Sequence, residues 1–123
     1  MSDRQDDTTT RDWKRLFRDM IGFADKVMKN TSGLDQASFV ENDLVYDATI
    51  RNLHLIGESA SKVPENVRHQ AADVAWRKII GMRNRLVHDY LGIDDDILWN
   101  VIKNEVPVLR DALRLFLESH GQV

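Results

Sequence analysis

The 123-residue sequence contains no cysteine. Disulfides and thiolate metal sites are therefore excluded, and the absence agrees with a cytoplasmic protein. No apolar stretch approaches the roughly 18 to 20 residues that a membrane span requires. The opening "MSDRQDDTTTRD" is polar and charged, so it cannot act as a secretory signal. The four histidines are scattered, no H-E-x-x-H motif occurs, and no metal or cofactor is expected. Internal repeats and low-complexity tracts are absent. No clean period-two run lies between hairpin turn signals, so strands have little support. Only two prolines, Pro64 and Pro107, punctuate the chain.

What is present is helical periodicity. Hydrophobic residues make up 42% and charged residues 30% of the chain, the balance of a soluble globular protein of one domain. Residues 1–9 read as a flexible N-terminal tail and residues 10–120 as a single helical domain. A capping-box-like Thr9-x-x-Asp12 precedes Trp13, Leu16, Phe17, Met20, Ala24, Val27 and Met28, which recur at three- and four-residue steps and end before "NTSG". A second helix is predicted from Gln36 or Ser38 to Ala60, with the interior Gly57 permitting close approach of a neighbour. "VPENVR" starts a short helix with Pro64 in its first turn. A further helix is predicted from Ala75 or Trp76 to Leu91, capped by Gly92. Asp94, Asp95 and Asp96 suit the dipole at the start of the last helix, which Pro107 should kink. Trp13, Trp76 and Trp99 read as core anchors. The fold class is all-α: an antiparallel four-helix bundle with an additional short helix.

Net charge is -3, but its distribution is uneven. Lys62 to Arg85 carries a net +4, whereas Asp35 to Ser61 carries -4. A basic segment in an acidic chain can draw phosphate locally, although solvated helix faces would look the same. Inside it lies "RNRLVHDY", Arg83 to Tyr90. Arg83 or Arg85 can clamp a phosphate. His88 has the side chain that titrates near neutrality and can transfer a proton. Asn84 can orient a phosphate oxygen or the histidine. RNA cleavage needs only such a base for the 2′-hydroxyl and a cation on the phosphoryl oxygens, without a metal, and leaves a cyclic phosphate. Structural readings stand beside these. Arg85 and Asp89 can form a surface pair at i,i+4, and His88 can cap helix carbonyls. His54, His69 and His120 read as structural or surface residues. At about 100° per residue, one continuous helix puts Tyr90 nearly in line with Arg83 but turns His88 about 140° away. Either the helix loosens near His88, or a second chain completes the site.

Arg83-x4-His88-x-Tyr90 resembles the R-x4-6-H motif of HEPN-domain ribonucleases, in the R-x4-H-x-Y form of the HepT toxins. "RNLHLIGESASKVPENV" (Arg51 to Val67), "WRKIIGMRNRLVHDYLGID" (Trp76 to Asp94) and "LWNVIKNEVPVL" (Leu98 to Leu109) are similar to that family in order and spacing. The resemblance covers roughly Asp12 to Leu117. It implies a HEPN-like bundle that forms a homodimer, with both motifs facing a shared cleft. It also implies an endoribonuclease toxin of a toxin–antitoxin pair, neutralised by a minimal nucleotidyltransferase, MntA, that transfers AMP to the motif tyrosine. Arg83 and His88 then become catalytic with Asn84 assisting, and Tyr90 becomes the AMP acceptor. Arg85, Arg77 and Lys78 become RNA contacts. His54 departs from the acidic residue expected after "RNL". The alternative is a non-catalytic helical module that partners the nucleotidyltransferase. A third reading makes the motif a polar dimer interface.

Overall fold

No glycine or proline interrupts the chain before Gly22, and the first helix, α1, runs Ser2–Thr31. It therefore begins within the segment read as a tail. The computed structural model describes residues 2–87 and 92–120, with side chains from Trp13 onward. Trp13, Phe17, Met20, Ala24 and Val27 are buried, as the stripe predicts.

The predicted second helix is two helices, α2 (Gln36–Glu41) and α3 (Asp43–Lys62). Asn42 divides them. Its backbone is extended, and its side chain accepts from the Val45 N–H at 3.1 Å. Asparagine competes with the helix for backbone donors in this way. Pro64 caps the short helix α4 (Glu65–Gln70), one position outside the first turn expected for it.

The long helix expected from Trp76 to Leu91 is not formed. Two short helices replace it, α5 (Trp76–Ile80) and α6 (Met82–Leu86), joined at Gly81. A Cβ at Gly81 would sit 3.0 Å from the Arg77 carbonyl oxygen. The helix stops at Leu86 because Val87 turns extended and forms an isolated antiparallel bridge with Ile93. The helix that Gly92 was expected to cap has thus ended at Leu86. The Gly92 φ of 102° serves the return of the chain toward that bridge.

The last helical run comprises α7 (Asp95–Asn100), a π segment (Val101–Glu105) and α8 (Val106–Ser119). Pro107 lies just past the π segment, where the Val106 N–H reaches back five residues to the Val101 carbonyl. A proline lacks a donor and crowds the preceding turn, and the widened turn upstream accommodates it.

Helix α1 packs along α3 and α8. Phe17, Met20, Phe39, Ile56, Leu98, Ile102 and Leu113 fill the centre. Trp13 meets Phe17 edge-on at 5.1 Å, and Trp76 lies 5.7 Å from Phe17. Trp76 also donates its indole N–H to the Ala71 carbonyl at 3.0 Å. Trp99 packs on Phe39 at 5.3 Å. Among the described residues the regular elements are helical, so the all-α expectation holds. None of these helices is long and apolar enough to cross a membrane.

Candidate functional site

Met82 and Leu86 are four residues apart in α6, and both are buried. That register anchors the helix and leaves Arg83 and Asn84 exposed. Arg83 enters a cleft of about 800 Å³ between α3 and the α5–α6 pair. Ile50, Leu53, Ile79 and Met82 supply apolar walls, while Arg51 and His54 line the α3 side. Gly57 holds the walls close. A Cβ there would lie 3.3 Å from the Ile79 carbonyl oxygen, which is the close approach the sequence suggests.

The other basic candidates do not line this cleft. Arg85 points to the π segment and makes a bidentate pair with Glu105, at 3.0 and 2.7 Å. Its carboxylate partner is therefore remote in sequence. The paired hydrogen bonds raise the Arg85 guanidinium pKa and lower that of the Glu105 carboxyl. Arg77 and Lys78 are exposed on α5. Lys78 lies beside Glu105 on a smaller cavity of about 260 Å³. Asn84 is exposed outside the main cleft.

His88 and Tyr90, with Asp89 and Leu91, lie outside the described residues. The flanks of that segment are anchored. Upstream stands the Arg85–Glu105 pair. At the neck, the Asp94 N–H donates to the Leu86 carbonyl beside the Val87–Ile93 bridge. Downstream, the three aspartates have separate tasks. Asp94 caps α7 by accepting from the Asp96 and Ile97 N–H groups. Asp95 accepts from the Tyr46 hydroxyl. Asp96 accepts from the Gln36 amide at 2.6 Å. Burial, then the bond to Asp95, holds the Tyr46 phenol well above its ordinary pKa, so it remains a donor.

Because α6 ends before His88, the angular separation of Arg83 and His88 expected from one continuous helix does not apply. The first alternative, loosening of the helix, is realised at Val87. The residues missed by sequence reasoning are on α3. Tyr46, Asp47, Arg51, His54 and Glu58 all line the cleft. From Asp47 to Glu58 their three- and four-residue spacing was a signal of one polar helix face. His54 was read only as structural or surface. It is exposed, as expected of a surface residue, but the surface is the wall facing Arg83. His120 stacks on Phe116 at 4.0 Å, at the far end of α8.

A family model described as ribonuclease HepT-like matches residues 11–116. A protein named as a candidate RNase in Methanocaldococcus jannaschii is 32% identical over 105 residues, covering 85% of this chain and 96% of its own. One of the same description in Caldanaerobacter subterraneus is 30% identical, over 76% of this chain and 83% of its own. A candidate ribonuclease HepT of Thermococcus cleftensis is 35% identical over 51% of this chain and 57% of its own. No solved structure gives a significant match.

Proposed function

Since the chain belongs to the HepT-like ribonuclease family, we propose that it is the toxin of a toxin–antitoxin pair, a metal-independent endoribonuclease. The observation that carries this reading is the opening of Arg83 onto a cleft of about 800 Å³. Arg83 forms no ion pair among the described residues, so its guanidinium is available to a phosphate. His88 takes the proton of the RNA 2′-hydroxyl. The 2′-oxygen then attacks phosphorus, the bond to the 5′-oxygen breaks, and that oxygen receives a proton. The products are a 2′,3′-cyclic phosphate and a 5′-hydroxyl. Arg83 stabilises the charge that builds on the phosphoryl oxygens.

The chain works as a homodimer in this reading. Ile80 and Val87, 38% and 52% exposed, lie on the cleft rim, where a second copy would cover them. A minimal nucleotidyltransferase of the MntA type acts as antitoxin. The Tyr90 oxygen attacks the α-phosphorus of ATP and pyrophosphate leaves. The attached AMP then competes with RNA phosphate for the same arginine.

Induced expression of wild type beside His88→Ala tests the proposal. Wild type should arrest growth and degrade RNA, and the variant should do neither. Co-expression of the nucleotidyltransferase should restore growth and add the mass of AMP at Tyr90. Equal toxicity of both chains would contradict the assignment of the base. Neutralisation with Tyr90 unmodified would contradict the assignment of the acceptor. In sedimentation, a stable monomer at micromolar concentration would contradict the homodimer.

A further inference from the structure

Helix α3 presents Asp47, Arg51, His54 and Glu58 to the cleft, and α6 presents Arg83. Two fixed cations thus balance two carboxylates. The α5 wall is apolar there, through Ile79 and Ile80. Tyr46, the remaining titratable group among the described lining residues, stands on α3, donates to Asp95 and carries no charge. Among the described lining residues, the sign of the cleft's formal charge is therefore decided by one imidazole. Neutral His54 leaves the cleft balanced, and ionised His54 makes it positive. His54 is exposed and makes no hydrogen bond or ion pair among the described residues. It stands three residues from Arg51, one helical turn along the same wall, and across the cleft from Arg83.

We propose that His54 is an RNA-binding residue of the cleft, a phosphate contact on α3 that acts with Arg51 and Arg83 and engages when protonated. The proposal rests on the cleavage reading and identifies the α3 wall as a second side of its substrate site. An imidazolium donates a charge-assisted hydrogen bond to a phosphate oxygen. A neutral imidazole in a cleft that also holds Asp47 and Glu58 gives the backbone of RNA no net attraction. Single-stranded RNA would therefore bind more tightly in mild acid, and one additional counterion would be released per occupied site.

The test uses the full chain and a 2′-O-methyl oligouridine, which lacks the attacking hydroxyl and whose bases do not titrate in the range used. Binding is measured at about pH 5.5 and at about pH 8 over a salt series. Wild type should bind roughly three- to tenfold more tightly at the lower pH. His54→Gln should lose most of that difference. At the lower pH its salt slope should be shallower than that of wild type by about 0.7, the value for one contact to a single strand. His54→Arg should bind tightly at both pH values, which a merely structural role would not produce. His88 is retained in every variant, so its own titration cancels in the comparison. If His54→Gln keeps the wild-type pH dependence and salt slope, the proposal is overturned while the cleavage reading stands. If wild type fails to bind the oligonucleotide at either pH, this proposal falls. The cleavage reading is then decided separately, by whether Arg83→Ala loses activity on ordinary RNA.

Discussion

Arg83 and Arg85 stand two positions apart in α6 and have opposite surroundings. Arg83 opens on the cleft, whereas Arg85 is spent on Glu105. Their residue types are identical, so composition and local charge offered no way to tell them apart. The decision is made by register: Met82 and Leu86 turn inward, and the π segment brings Glu105 within reach of Arg85. Removing Arg85 should therefore cost stability. Arg85→Ala is expected to lower it by about 1 kcal/mol at neutral pH, the scale of a bidentate, partly exposed pair. The pH dependence follows from the sign of the shift. Arg85 holds the Glu105 carboxyl below its ordinary value of 4.5. A depressed carboxyl contributes stability that is complete above its unfolded value and is lost as pH falls through the folded one. Urea unfolding at neutral pH and near pH 3 should show the gap between wild type and Arg85→Ala closing in acid. A gap that stays constant would mean that the pair contributes nothing through ionisation.

Among the elements, those governed by an apolar stripe were legible. The buried faces of α1 and α8 follow from three- and four-residue spacing and the short helix α4 from Pro64 at its start, whereas α3 buries the polar Thr49 and Asn52 beside Leu53 and Ile56, which an apolar stripe does not foretell. What could not be read were interruptions without a local signature. Asn42 splits a periodic stretch by capping with its own side chain. Gly81 and Val87 end a helix that hydrophobic spacing alone would continue to Leu91, because the competing interaction, Val87 with Ile93, is made with residues beyond the turn. The three consecutive aspartates read as complements to a helix dipole. They do occupy its first turn, and two of them also bind groups 49 and 60 residues away, Tyr46 and Gln36. Sequence reasoning found Arg83 through its motif and missed the α3 wall, whose relation to Arg83 exists only after folding. The anchor at Tyr46 leads to a prediction. Tyr46→Phe removes the hydroxyl that holds Asp95, the downstream flank of the segment containing His88 and Tyr90. Loss of one hydrogen bond should cost about 1 kcal/mol of stability. Cleavage at saturating RNA should fall by more than the small loss of folded protein explains. If the variant unfolds at lower urea but cuts RNA as fast as wild type, the bond serves the fold alone.

For the whole molecule, a scaffold of buried apolar side chains holds two walls of a cleft, and nearly all of its chemistry is carried on exposed faces. The acidic net charge of the chain gives no sign of this, since a net charge says nothing of how charges are placed on one surface. It also explains why the central assignment can be tested without disturbing the fold. Arg83 is exposed and makes no ion pair among the described residues, so Arg83→Ala should unfold within about 0.5 kcal/mol of wild type. The most direct measurement is single-turnover cleavage of RNA in EDTA by wild type and by Arg83→Ala. The account predicts wild-type products ending in 2′,3′-cyclic phosphate and a rate lower by at least about 10²-fold in the folded variant, as for loss of an oxyanion donor. Equal rates for the two chains, or cleavage by wild type that stops in EDTA and returns with Mg²⁺, would contradict it.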